Sequence, residues 1–91
     1  MNDELLTLLR LKGKPCQGRI ECWHLTKYFG SEEDVIRGYL HDKPGRAPQI
    51  VTSLRTSPIV KIHVEEQIAE TMNSCYKLGA PYDEKLDGVN G

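Results

Sequence analysis

Long apolar runs are missing from this chain. Nothing approaches the ~18 consecutive apolar residues of a membrane-crossing helix, so no membrane partner is expected. Cysteine is scarce, with three residues in all, and the odd number argues against a disulfide scaffold and for a reducing compartment. There is no Cys-x2-Cys pair of the kind that marks structural zinc sites. There is no glycine-rich phosphate loop either: Gly38 and Gly45 stand alone, and no Gly-Lys-Ser/Thr ending follows them. Excess charge is lacking as well. The net charge of −1 falls short of the basic footprint usual in nucleic-acid binders. The opening MNDELLTLLRLKGK puts acids first and has only a short apolar stretch, unlike a secretory signal, so a cytoplasmic location is expected.

What is present suits a small folded domain. Apolar residues make up 38% of the chain and charged residues 27%, a balance that favours a packed core over disorder. The 91 residues supply enough apolar surface for one core and not for two. The expectation is a single domain over 1–81, with 82–91 (YDEKLDGVNG) as a flexible tail. Charge is segregated along the chain. Ten Lys/Arg against five Asp/Glu make Arg10 to Lys61 basic, and six Asp/Glu against two Lys/Arg make Ile62 to Gly91 acidic. That division polarises the surface, unless packing brings the two segments together.

Local signals place several elements. Asn2 as a cap, Asp3 and Glu4 in the first turn, and Leu5, Leu6, Leu8 and Leu9 as an apolar stripe predict a helix ended by Gly13 and Pro15. Gln17 to Thr26 is rich in strand formers, and Tyr28-Phe29-Gly30-Ser31 follows as a turn with two aromatics. Ser31 followed by acids resembles a capping box before Val35, Ile36, Tyr39 and Leu40, whereas Gly38 and the β-branched pair suit a strand over Val35 to His41. Asp42 to Pro48 is a loop turning at Pro44-Gly45. Ile59 to Val64 is the firmest strand, with Val60, Ile62 and Val64 on one face. The remainder, VEEQIAETMNSCYKLG, fits two patterns. As a helix it aligns Val64, Ile68, Met72, Cys75 and Tyr76; as a hairpin it turns at Glu65-Glu66 and again at Asn73-Ser74.

The segments Thr56-Ser57-Pro58-Ile59-Val60 and Glu70 to Gly79 (ETMNSCYKLG) resemble small uncharacterised proteins encoded by bacteriophages and prophages, with their TSxIV and xTxxSxYxLG patterns. The likeness extends upstream to a Trp-containing strand (Glu21 to Leu25), a Gly-containing strand (Ile36 to Leu40) and a His/Pro loop (His41 to Pro48). It implies consecutive antiparallel strands over Ile59 to Leu78. The fold expected is therefore α+β and mostly antiparallel β: a small, partly open β-barrel or curled sheet with an N-terminal helix. The alternative keeps helices at 32–40 and 65–78. The chain departs from the pattern at Val64-Glu65-Glu66-Gln67, which lacks the Asp-Gly of a tight hairpin.

For chemistry, Cys16, Cys22, His24 and Cys75 are residue types that bind zinc, but their spacing matches no zinc motif, so no metal and no other cofactor is expected. Cys75 or Ser57 needs a base such as His63 or His24 to act as a nucleophile, and nothing in the spacing joins them. The expectation is a protein that binds and does not catalyse. Lys43, Arg46, Arg55 and Arg37, interleaved with Trp23 and Tyr39, are the candidate partner- or nucleic-acid-binding residues. The resemblance implies a phage-type accessory protein, acting in the host cytoplasm on a host protein or nucleoprotein, with an anti-defence (anti-CRISPR-like) inhibitor as one form. The alternative is a small β-barrel regulator that binds nucleic acid. Exposed strand edges also allow a homodimer.

Overall fold

The computed structural model describes residues 2–82. These described residues form one helix, α1 (Asn2–Leu11), and six strands: β1 (Cys16–Lys27), β2 (Asp34–His41), β3 (Thr52–Arg55), β4 (Ile59–His63), β5 (Ile68–Thr71) and β6 (Cys75–Leu78). The strands form one sheet in the order β3-β2-β1-β6-β5-β4. Every pairing is antiparallel except β1 with β6, which is parallel.

This order forces the sheet to curl. The edge strands β3 and β4 are neighbours in sequence, joined only by Thr56, Ser57 and Pro58. A flat sheet of six strands would hold its edges about 24 Å apart, at about 4.8 Å per strand. The link from Arg55 to Ile59 reaches at most about 14 Å. The edges therefore bend toward each other, and β4 comes into contact with β2. The link is pinned where it crosses. Thr56 N donates to Ile36 O at 2.9 Å, Ile36 N donates to Thr56 Oγ1 at 3.0 Å, and Met72 N donates to Pro58 O at 3.1 Å.

The long strand β1 accommodates the curl by breaking register twice. One break lies at Gly18 (φ 125). The other is a bulge in which Cys22 (φ 52) and Trp23 together face the single residue Gly38. A Cβ on Gly38 would meet Ile20 Cγ2 at 2.5 Å and Glu21 O at 2.8 Å, so only glycine fits there.

Two apolar clusters lie on opposite sides of the sheet. The concave side holds Ile20, Ile36, Leu40, Ala69, Tyr76 and Leu78, with Trp23, Leu54, Ile59 and Ile62 packed against them. On the convex side, α1 covers β5 and β6 by packing Leu9, with Leu5 and Leu6, onto Ile68, Cys75 and Cys16. Successive residues alternate between the two sides, as a pleat requires: Ile68 faces the helix and Ala69 the concave core.

Several expectations change. The helices considered at 32–40 and 65–78 are strands and turns. Ser31 does use its side chain as a cap would, since Glu33 N donates to Ser31 Oγ at 2.9 Å, but the bond closes the β1–β2 loop and opens no helix. Leu8, expected in the buried stripe, is half exposed. The expected face of Val60, Ile62 and Val64 is broken by a register shift between Ile59 and Lys61, which turns Ile59 and Ile62 to the core and Val60 outward. The second hairpin turn centres on Met72-Asn73, one residue earlier than expected, with Thr71 N donating to Ser74 O at 2.8 Å. Of the tail expected at 82–91, Tyr82 is tied down by its N–H to Trp23 O at 2.8 Å, and the rest lies outside the described residues. No described helix is long and apolar enough to cross a membrane.

Candidate functional site

The convex side of the sheet has a helix-covered half and, among the described residues, a bare half. On the bare half, formed by β1, β2 and β3, cross-strand register sets out two rows. His24 pairs with Arg37 and Arg37 with Arg55; the next row runs Glu21, Tyr39, Ser53. Directly opposed residues point to the same face, so each row is a contiguous strip of side chains. Ile36, Leu40 and Leu54 of the same strands face the core. The outward set is therefore fixed by the pleat once the Cys22-Trp23 bulge is counted.

Aromatic side chains border these rows. Phe29 is 93% exposed and Tyr39 51% exposed, both unusual for large rings in so small a fold. The Arg55 guanidinium lies 4.7 Å from the Tyr28 ring centroid, a cation–π contact that holds Arg55 over the β1–β2 loop. At the other end, the His24 and Tyr82 rings are tilted at 6.0 Å between centroids. Two shallow depressions lie along the face. One, of about 360 Å³, is lined by Thr26, Lys27, Phe29, Arg37 and Arg55. The other, of about 280 Å³, includes His24, Arg37, Tyr39, Ser53 and Tyr82. Arg37 lines both.

Three acids on and around the face, Glu21, Asp34 and Asp42, are already partnered. Glu21 accepts hydrogen bonds from Ala80 N at 2.7 Å and from Arg19 Nε, which together hold its carboxyl below the ordinary value. Arg19 also reaches Asp42 at 2.5 Å, and Lys27 pairs with Asp34 at 2.9 Å. Among the described residues, Arg37, Arg55, Lys43 and Arg46 take part in no ion pair. No described carboxylate lies within ion-pair distance of them.

The structure separates the sequence-derived candidates. Arg37, Arg55 and Tyr39 share the bare face. Lys43 and Arg46 lie beyond its far end, in the loop after His41, and the strand rise puts His41 itself about 13 Å from Arg37. Trp23 leaves the face. The bulge turns it against the concave core, and its Nε1 donates to Gly79 O at 2.9 Å. Phe29, Tyr28, His24 and Tyr82 complete the face. Only the register of β1 on β2, which depends on the bulge, would have placed His24 there from sequence.

The residues weighed for metal and nucleophilic chemistry are dispersed. Cys16 and Cys75 are register neighbours beneath α1, while Cys22 and His24 border the bare face. No group of three or more metal-ligating side chains occurs among the described residues. Burial pushes the Cys75 thiol up to about 12, so it stays protonated at neutral pH. Ser57 Oγ accepts from the Asn73 amide at 3.1 Å, and His63 Nε2 donates to Glu70 Oε1 at 3.1 Å. Glu70 also accepts from Lys14 Nζ at 2.6 Å, and that bond leads the effects holding its carboxyl below the ordinary value. This Lys14–Glu70–His63 cluster ties the segment after α1 to β5 and β4.

Comparison with protein-family models, curated proteins and solved structures gives no match to this chain.

Proposed function

We propose that the protein is a non-catalytic, phage-type accessory protein that engages a host protein or nucleoprotein through the bare half of its convex face. One observation carries this reading. Arg37 and Arg55 stand side by side, without an acidic partner among the described residues, between exposed aromatic rings. Unpaired arginines beside solvent-facing aromatics are the composition of binding hot spots. The phage-type origin is supported by the likeness of the Thr56 to Val60 and Glu70 to Gly79 segments, and it sets the host cytoplasm as the place of action. An anti-defence inhibitor is one form of such a protein. The fold is read as a partly open barrel that serves as a rigid platform. The non-catalytic reading is supported by the state of the suggested nucleophiles: Cys75 is held protonated, and Ser57 is bonded to Asn73 with no histidine.

The test is a pull-down from bacterial host lysate with tagged wild-type protein and with the Arg37→Ala/Arg55→Ala variant, each with and without nuclease. A partner retained by the wild type and lost by the variant supports the face as the docking surface. Loss on nuclease treatment marks the partner as a nucleoprotein. Equal retention by the folded variant overturns the reading.

A further inference from the structure

We infer that the two depressions along the bare face, which share Arg37, take a short single-stranded nucleic-acid segment, with a phosphodiester at Arg37 and Arg55 and a base stacked on Phe29. This rests on the docking-face reading above and names the chemistry of its occupant.

Three features lead there. First, the two depressions meet at Arg37, so one guanidinium reaches a ligand lying in both. Second, each depression joins a cation to an aromatic wall, Arg55 with Phe29 in one and Arg37 with Tyr39 in the other. Alternating phosphate and base along a single strand presents the complementary order, because the phosphates pair with guanidinium and the unstacked bases need a ring to lie on. Third, the surface is convex and its rings point outward, whereas a duplex keeps its base faces stacked inside and has none to offer. A peptide with acidic side chains alone would satisfy the arginines but leave Phe29, at 93% exposure, without a matching partner.

The charge of the region sets the scale of binding. Glu32 and Glu33 lie in the same loop as Phe29, so attraction is local to the Arg37–Arg55 pair and not a property of the whole surface. Two phosphate contacts give a salt slope near −1.4 for a single strand, which is about a sevenfold loss of affinity from 50 to 200 mM salt. Removing one arginine halves that slope. Removing the stacking ring lowers affinity about tenfold and leaves the slope unchanged.

Fluorescence anisotropy tests this with labelled oligothymidylate, oligouridylate, a DNA duplex of equal length and a polyglutamate peptide, using wild type, Arg37→Ala and Phe29→Ala. Circular dichroism checks that each variant is folded; the exposure of both side chains makes loss of fold unexpected. Binding of either single strand, with the two variant signatures above, supports the inference, and comparison of the two strands tells DNA from RNA. No binding of either strand at 50 mM salt overturns it, as does equal affinity for the duplex. If polyglutamate binds as tightly as the strands and Phe29→Ala is silent, the nucleic-acid occupant is wrong while the docking face stands. If the lysate pull-down is also insensitive to Arg37→Ala/Arg55→Ala, both readings fall.

Discussion

Gly38 faces two residues of its partner strand at once. The backbone of Cys22 and Trp23 swells toward it, and the space a side chain would fill is taken by Ile20 and Glu21. Gly38→Ala overpacks this point and is expected to cost about 1–3 kcal/mol, read as a lower urea midpoint. The same bulge sends Trp23 inward and His24 outward, so the variant should also disturb the Arg37 row. Two carboxylates act at this scale too. Glu70, bonded first by Lys14, and Glu21, bonded first by the Ala80 N–H, both titrate below the ordinary 4.5 when folded. As pH falls, the unfolded chain takes up these protons before the folded one does. Their stabilisation is therefore complete above about pH 4.5 and is lost as pH drops through the depressed folded values. Urea unfolding at stepped pH should show stability falling below about pH 4.5, and Glu70→Gln should flatten part of that fall.

Elements differed in how readily the sequence disclosed them. The helix was legible because its signals agree: acids in the first turn, leucines at helical spacing, and Gly13 with Pro15 after it. β4 was legible from its β-branched run, but its buried face was not, since the register shift after Ile59 leaves no mark in composition. β5 and β6 were obscured by a coincidence. A run that is buried on both faces, as Ile68 to Thr71 is, carries no two-residue alternation and so also fits a helical spacing. The resemblance, and not the periodicity, favoured strands there. In the candidate site, Arg37, Arg55 and Tyr39 were within reach of strand alternation, whereas Trp23 was misplaced by a bulge and Tyr82 by its nearness to a polar tail. The helix and sheet meet mainly through Leu9, which is 1% exposed. Leu9→Ala is expected to cost about 2–4 kcal/mol, with helix signal and global unfolding lost together in denaturant.

The molecule as a whole depends on drawing its two edge strands together. Thr56 does much of this, since its hydroxyl accepts from Ile36 N and donates to Ser57 O at 2.8 Å. Thr56→Val keeps the shape and strands a buried N–H on β2, so a loss of about 1–3 kcal/mol in calorimetric or urea unfolding is expected. The parallel seam between β1 and β6 has a different reach. It brings Cys16 beside Cys75 and Ile20 beside Leu78, contacts between the early and late parts of the chain. Such distant pairing raises contact order and slows folding. During synthesis, β1 cannot receive its second neighbour until Leu78 has left the ribosome. Until then the nascent chain presents an open hairpin with apolar side chains and a bare strand edge, and it is at this stage that a chaperone has most to protect.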